Sequence, residues 1–372
     1  MKKNARKESL GTRLKSYEKQ FEARIPYDEY LICRIDGHKF SKFTKNMKKP
    51  FDEFFSRTME ETTKKLVEKF GAVTGYTQSD EITLVFAPSY KESLKAVDFD
   101  DLYIKGYNSD NEVDYKVVDK DNNLIGTLEM DYEFDENGYS TIDFLIYDEE
   151  TLIDECEFQF RNDNARKALE KFLKKYTIKE VIIKNNQIFG GRIQKLTSLI
   201  ASYTTLNFNN ILKELVENQI GYSEYATDEE RKYLYKMLEK SGKAWFDARV
   251  FGVPSKEEAF NAVMWRIRDA EKNSRSMFAQ TFCSHKELLN KNGKEQTEYC
   301  FNKTGKDWNS IEDRYKYGIL VKKTEYTKMV DLDEIQVFSD VSEVKRTKIV
   351  SWSEKLTKFS DESVNLIIRK LK

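Results

Sequence analysis

Arg34-Ile-Asp36-Gly37-His38-Lys39-Phe40 and Tyr76-Thr-Gln-Ser79-Asp80-Glu81-Ile-Thr-Leu-Val-Phe86 are the two stretches on which the reading of this chain turns. Each sets a carboxylate at the edge of an apolar run of strand character: Asp36 closes the run that begins at Tyr30, and Asp80 precedes Ile82 to Phe86. Two such strands side by side present Asp36 and Asp80 to one divalent cation. Nucleotidyl transfer needs a metal that activates the attacking hydroxyl and a second that neutralises the triphosphate, about 3.5–4 Å apart. The ligands it needs are hard oxygens. Gly37, without a side chain, lets its backbone carbonyl approach as a third ligand. Glu81 has two readings, because neighbours on a strand point to opposite faces: a supporting carboxylate, or an anchor for a basic partner. Alone, Asp36-Gly37 also reads as an ordinary turn; the two motifs together point to phosphate chemistry.

Outward from these motifs the pattern is mixed α and β. Tyr30 to Ile35 is a short strand, and Phe51 to Phe70 keeps helical spacing through Phe51, Phe55, Met59, Leu66 and Phe70 behind Pro50. Ile82 to Phe86 is the second strand, broken by Ala87-Pro88. Further along, helices are expected over 192–203, 228–240, 255–280 and 361–371, and strands over 247–253 and 318–322. The chain carries 39% apolar and 13% aromatic residues over 372 positions, enough for a substantial core in one large or two ordinary domains.

The net charge of −1 hides a strong asymmetry. Residues 91–160 hold 21 Asp or Glu against 5 Lys or Arg, which leaves 58 basic against 43 acidic residues in the rest of the chain. A basic body with an acidic module follows, and the basic surplus suits a polyanionic partner. Within the acidic segment, Tyr115 to Val118, Leu124 to Phe134, Ser140 to Tyr147 and Leu152 to Phe160 are strand-like. Turn chemistry separates them at Asp119 to Asn123, Asp135 to Gly138 and Asp148 to Glu150, so an antiparallel meander is expected. A helix over Ala165 to Tyr176 and a strand at Val181 to Ile183 complete an inserted module at about 89–187. Asp119-Lys-Asp121 begins like a calcium loop, but Leu124 stands where that loop needs glycine and Met130 where it needs glutamate, so a plain turn is the reading. Cys33, Cys156, Cys283 and Cys300 have no pairing or CxxC spacing, with Cys33 expected as a small buried thiol. With no apolar stretch of membrane length and no apolar region behind Lys2, Lys3, Arg6 and Lys7, a soluble, unexported, cytoplasmic protein without membrane partners is expected.

After the acidic segment, Gly190-Gly191 leads into a helix on which Arg192, Lys195, Ser198 and Ser202 share a face opposite Leu196, Leu199, Ile200 and Tyr203. That face reads either as a phosphate cradle at a helix N-terminus or as a solvated basic surface.

In order along the chain, these motifs resemble the core of the tRNA-histidine guanylyltransferase family of 3′-to-5′ polymerases. The resemblance is carried by Arg34 to Phe40, Lys49-Pro50-Phe51-Asp52, Tyr76 to Glu81, Gly190 to Ser202, Trp245-Phe-Asp247-Ala-Arg249-Val250, Trp265 to Met277, and Ser284-His285-Lys286-Glu-Leu288. It covers most of residues 10–330 outside the insertion. The segment Glu271-Lys-Asn273-Ser274-Arg-Ser276-Met277 is similar to the bacterial and archaeal branch, whose members repair truncated tRNA 5′ ends, rather than to the eukaryotic enzymes specific for histidine tRNA.

The resemblance implies an α+β fold: a polymerase- or cyclase-like palm, a ferredoxin-like antiparallel sheet with helices, carrying the inserted β-rich acidic module. Residues 1–88 would be the first part of the catalytic palm, 89–187 the module, 188–300 the second part with helices, and 301–372 a C-terminal extension. It implies template-dependent addition of nucleotides to the 5′ end of tRNA or a related RNA, after activation of that end by a triphosphate. Two Mg²⁺ ions would be the cofactors, ATP, GTP and other nucleoside triphosphates the substrates, and the enzyme a homo-oligomer, dimer or tetramer. By the same resemblance Asp36, Gly37 and Asp80 would hold the metal, with Asp36, Asp80 and Glu81 catalytic. Gly37, His38, Lys39, Phe40, Lys49, Ser79, Arg192, Lys195 and Ser198 would bind nucleotide, and Asn273, Ser274, His285 and Lys286 would bind RNA. Asn273 and Ser274 also read as ordinary positions on a helix packed on one side. A nucleotide cyclase with the same carboxylates and a catalytically silent RNA-binding protein are the alternatives. The insertion reads equally as a spacer, a docking surface or an electrostatic guard.

Overall fold

The apolar run from Tyr30 forms strand β1 (Tyr30–Gly37), and Leu31, Ile32, Cys33 and Ile35 in it are all buried. The computed structural model describes residues 9–20, 22–97, 115–118, 123–134, 140–148, 150–159, 163–221, 227–329, 343–356, 359–369 and 371. These divide into two compact units, 1–89 with 187–372, and 90–186.

The first unit is built around one antiparallel sheet. β1 lies between β10 (Phe246–Val253) and β3 (Glu81–Phe86); β2 (Thr74–Gln78) follows, then β11 (Ile319–Met329) and β12 (Glu343–Trp352), in the order β10-β1-β3-β2-β11-β12. Helix α1 (Glu53–Phe70) connects β1 to β2, and α3 (Ile193–Gly221) precedes β10. The first four strands with these two helices make the β-α-β-β-α-β path of a ferredoxin-like palm, which bears out the expected fold class. Asp52 starts α1 by accepting from the Phe55 N–H (3.1 Å), and Gly71 ends it in the left-handed region at φ 73°.

Strand alternation divides the core. Leu31, Cys33, Ile35, Ile82, Leu84 and Phe86 face α1 and α3, meeting Leu66, Val67, Leu196, Ile200 and Phe208. Ile32, Val85 and Tyr76 face the other way, against Ala259, Phe260, Val263 and Ile267 of α4 (Lys256–Phe282) and Val364 and Ile367 of α5 (Asp361–Ile368). Both faces of β1 are covered, and an uninterrupted apolar run rather than an alternating one is the sequence consequence. Burial pushes the Cys33 thiol far up, so it is an inert core residue as expected, and all four cysteines are free.

The second unit is also a six-stranded antiparallel sheet, in the order β4-β9-β5-β6-β7-β8. Its strands are β4 (Tyr90–Ala96), β5 (Tyr115–Val118), β6 (Leu124–Phe134), β7 (Ser140–Asp148), β8 (Thr151–Gln159) and β9 (Thr177–Asn185). β5 to β8 form the expected meander, and β9 inserts between β4 and β5. Helix α2 (Asp163–Lys175) contributes Leu169 and Phe172 to a core with Tyr115, Val117, Leu128, Ile142, Phe144, Ile146 and Ile178. The other face of the sheet sets Asp143 opposite Glu157 and Leu145 opposite Glu155, which is where part of the acidic surplus goes. The turns expected at Asp119 to Asn123, Asp135 to Gly138 and Asp148 to Glu150 fall wholly or partly outside the described residues, and so does the rejected calcium loop.

Several boundaries differ from expectation. The helix expected over 192–203 runs on to Gly221, and the strand expected at 181–183 spans Thr177–Asn185. Strands β2, β4 and β12 and the helices Leu10–Lys19 and Gly293–Thr304 were not anticipated. No described helix is long and apolar enough to cross a membrane.

Candidate active site

The end of β1 meets the turn between β2 and β3. The Gly37 N–H donates to the Asp80 carbonyl (3.1 Å), so Asp36-Gly37 and Asp80 are held at the same end of adjacent strands. Ser79 turns the chain in the left-handed region at φ 52°, and its hydroxyl donates to Asp80 Oδ1 (3.0 Å). Gly37 is required by space: a Cβ there would lie 2.3 Å from the Phe40 ring.

Burial, and behind it the charge of Asp36, push the Asp80 carboxyl up, while the Ser79 hydroxyl and Arg266 pull it down. Two carboxylates close enough to oppose each other's ionisation are relieved by a bound cation. Among the described residues no three His, Cys, Asp or Glu side chains cluster tightly enough to hold a metal. The side-chain donors that Asp36 and Asp80 bring together here are two carboxylates. That suits Mg²⁺, which keeps waters and takes substrate phosphates as its remaining ligands.

Register places Glu81 on β3 directly opposite Asp36, with Asp247 of β10 opposite it on the other side, so three carboxylates form one row across one face of the sheet. Glu81 is engaged by Arg266 of α4, whose guanidinium also reaches Asp269 (3.3 Å). Arg266 is buried, and its Nε has no hydrogen-bond partner among the described residues. Tyr76 backs this cluster by donating to the Tyr317 carbonyl (2.9 Å), and burial pushes its phenol far up.

A cavity of about 450 Å³ opens beside Ser79. Lys48, Lys49, Asp52, Gln78 and Arg314 give it polar groups, and Phe51 and Tyr315, stacked at 4.8 Å between ring centroids, give it an aromatic wall. Asp52 accepts from the Lys48 N–H (2.9 Å) and from the Tyr233 hydroxyl, which fixes the loop carrying Lys49. Lys49 and Ser79, expected near nucleotide, share this cavity.

His38 and Lys39 are exposed beside the carboxylates, and the His38 N–H donates to the Trp245 carbonyl (2.8 Å). The segment around Trp245 is clamped from α3: Asn209 bonds both the N–H and the carbonyl of Ala244 (3.1 and 3.0 Å), and Thr205 Oγ1 accepts from the Phe246 N–H (3.1 Å). Phe40 corrects the sequence reading. It is 4% exposed and packs on Phe43, Phe55, Phe208 and Phe246, so it is a core ring and not a nucleotide contact.

Arg192, Lys195 and Ser198 are not brought to the carboxylates. The Ile25 N–H donates to the Gly191 carbonyl (2.9 Å) and Arg24 bridges Arg192, which fixes the start of α3 near the beginning of β1. Phe208, fifteen residues along α3, is the part of that helix that packs beside Phe40, and fifteen residues of helix span roughly 20 Å. Arg192 instead faces Glu22 (3.8 Å), and Lys195 lies over the Phe189 ring. Ser274 is a second correction: it is 1% exposed and accepts from the Trp308 indole N–H (3.1 Å), so it supports the core rather than meeting RNA. Asn273 donates to Asp269 (3.0 Å) at the surface, and His285 and Lys286 are exposed on the short helix His285–Leu288. The sequence reading gave no role to Arg266, Asp269 or Asp247. The signal available was Arg266 and Asp269 at i, i+3 on one helix face.

An antiparallel palm sheet thus bears Asp36 and Asp80 at adjacent strand ends, with an aromatic-walled cavity carrying Lys48, Lys49 and Arg314 beside them. Residues 11–109 match the family model of tRNAHis guanylyltransferase, the family that the motifs resemble. An uncharacterized protein of Acanthamoeba polyphaga mimivirus is 26% identical over 319 residues, 85% of this chain and 77% of the viral protein. Among solved structures, a bacterial tRNA(His) guanylyltransferase-like protein in complex with ATP superposes with a TM-score of 0.50 at 23% identity, covering 85% of this chain and 87% of its own. The tRNA(His) guanylyltransferase of Saccharomyces cerevisiae gives 0.46 at 18% identity, over 82% and 91%. The bacterial structure shows the fold to be shared.

Proposed function

We propose that this protein adds nucleotides to the 5′ end of tRNA or a related RNA, in the 3′-to-5′ direction and directed by a template strand. The observation that carries the reading is the meeting of Asp36, Gly37 and Asp80 at one end of β1 and β3, beside a cavity of about 450 Å³. Asp36, the Gly37 carbonyl and Asp80 would hold Mg²⁺, which when bound lowers the pKa of an attacking hydroxyl and neutralises phosphate charge. Lys49 contributes positive charge for a triphosphate, Arg314 being paired with Glu60 (2.8 Å), while Phe51 and Tyr315 offer an aromatic surface to a base. Glu81, held by Arg266, acts by fixing the row of carboxylates rather than as a ligand. Arg192, Lys195 and Ser198, about 15–24 Å along α3 from the turn of Phe208 that packs beside Phe40, are assigned to the phosphate backbone of the RNA. His38 and Lys39, exposed beside the carboxylates, remain candidates for the nucleotide, and Asn273, His285 and Lys286 remain exposed polar candidates for RNA.

The test is incubation with Mg²⁺, ATP, the four nucleoside triphosphates and several tRNAs lacking their first nucleotide. Extension at the 5′ end, lost in Asp36→Asn, is expected. A cyclic product formed from ATP without RNA would move the assignment to a cyclase, and absence of both products would remove it.

A further inference from the structure

On the face that carries the carboxylate row, the next row inward consists of Arg34 on β1, Thr83 on β3 and Arg249 on β10. Trp265 of α4 lies against it. The Arg34 guanidinium sits 5.7 Å from the indole centroid and that of Arg266 sits 4.9 Å from it, yet 56% of Trp265 remains exposed. Phe251, one row further along β10, is 40% exposed, and Trp245, immediately before β10, is 65% exposed. β10 is an edge strand, so nothing in the sheet covers this side of it. The result is an exposed strip of aromatic rings, Trp265, Phe251 and Trp245, with the guanidinium groups of Arg34 and Arg249 on the same face and Asp247 3.7 Å from Arg249.

We propose that Trp265, with Arg34 and Arg266 beside it, is a stacking platform for an unpaired nucleobase of the RNA substrate. The proposal rests on the nucleotidyltransferase reading and adds a base-binding position to it. Electron-rich indole faces attract both guanidinium groups and nucleobases, and such stacking tolerates any base because every base has a π face. The two guanidinium groups hold the ring in place, and that of Arg34 adds attraction for an adjoining phosphate. Arg34 precedes Asp36 by two strand residues, about 7 Å, so a base on Trp265 belongs to a nucleotide next to the phosphate held at the carboxylates. A protein partner would find a strip of arginines within the apolar surface; a nucleic acid finds both of its recognition elements, ring and phosphate, in register.

The experiment measures binding of the full-length protein to a 5′-truncated tRNA by fluorescence anisotropy and, separately, to ATP and GTP, with extension followed in parallel. Trp265→Ala is expected to weaken RNA binding by roughly ten- to a hundredfold, Trp265→Phe to restore most of it, and nucleotide affinity to stay within about twofold. RNA affinity equal to wild type in Trp265→Ala would overturn the proposal. So would a loss confined to ATP or GTP, which would give the platform to the incoming base. A change in sedimentation of the free protein with RNA affinity intact would overturn it as well, making the strip a contact between copies. If the wild type binds RNA through Trp265 but never extends it, the catalytic reading fails and the platform stands. If extension proceeds and Trp265→Ala binds RNA normally, the platform fails alone.

Discussion

Replacing Arg266 by methionine separates the two roles open to Glu81. The Arg266 side chain is 9% exposed and its partner Glu81 26% exposed, with Asp269 the second carboxylate at the same guanidinium. Removing the cation leaves Glu81 beside Asp36 with no counter-charge, in a face already crowded with negative charge. Breaking a buried pair from one side costs about 3–5 kcal/mol, and the partial exposure of Glu81 places this case near 3 kcal/mol. Glu81→Gln in the same background removes the stranded charge, so the double variant is expected to recover about 1–3 kcal/mol relative to additivity. All four tryptophans, Trp245, Trp265, Trp308 and Trp352, lie outside residues 90–186, so denaturant unfolding followed by tryptophan fluorescence reports on the catalytic unit alone. The activity of Glu81→Gln completes the test: it should fall less than that of Asp36→Asn. Strict additivity in the cycle, together with a Glu81→Gln variant as inactive as Asp36→Asn and no less stable than wild type, would refute the reasoning and make Glu81 a metal ligand.

Asp80→Asn should abolish Mg²⁺-dependent transfer by more than about a hundredfold, while the metal-free variant unfolds no earlier than wild type, because burial and Asp36 already oppose the charge on Asp80. Phe40→Ala should cost about 3–5 kcal/mol of stability and leave the nucleotide KM of the folded fraction unchanged; a selective rise in that KM with stability intact would return Phe40 to the binding site. Burial pulls Lys322 down to about 7 from an ordinary 10.5, although it bonds Thr74 (2.8 Å) and the carbonyls of Leu366 and Ile367 at the end of α5. The unfolded chain then binds the extra proton between those values, so stability rises with pH above 7, by about 2 kcal/mol between pH 7 and 8.5. Lys322→Met should flatten that part of the profile in denaturant titrations, and an unchanged slope would remove the assignment.

The pairing of Asp36 with Asp80 was legible because it needs only two facts that a sequence carries: an apolar run marks a buried strand, and a short turn joins strands that neighbour in space. The relation of Glu81 to Asp36 was not. Alternation along β3 sets Asp80 and Glu81 apart, but only the register between β1 and β3 puts Glu81 opposite Asp36, and register is written in long-range contacts. Phe40 misled for a related reason: sharing a motif with Asp36 and Gly37 says nothing about which way a ring turns. The length of α3 was hidden by Thr204-Thr205-Leu-Asn207-Phe-Asn209, residues that ordinarily compete with helix. In the fold their side chains bond back into the helix, Thr204 to the Ile200 carbonyl (2.7 Å), Asn207 to that of Tyr203 (2.8 Å) and Asn209 to that of Thr205 (2.7 Å), while Phe208 is sealed in the core. Ending the helix at 203 leaves Arg192 close to the sheet's middle; carrying it past Phe208 moves the basic turn to the far end.

The same geometry explains why the palm tolerates a hundred inserted residues between β3 and α3. β3 runs from Glu81, opposite Asp36, to Phe86, opposite Leu31, so the chain leaves the palm at the end of the sheet remote from the carboxylates, about 17 Å away along β1. It returns at Gln187, whose side-chain amide donates to the Pro26 carbonyl (2.6 Å), and the Gly191 carbonyl receives the Ile25 N–H, again beside the start of β1. Exit and re-entry are therefore pinned at one end while Asp36, Gly37, Asp80 and the cavity lie at the other. Chain inserted at a point where both ends are fixed near each other adds little closure entropy and leaves the strand register intact. The carboxylate row is set by β1, β3 and β10 alone, which makes the arrangement of Asp36, Asp80 and Glu81 a property of the palm and not of the acidic module.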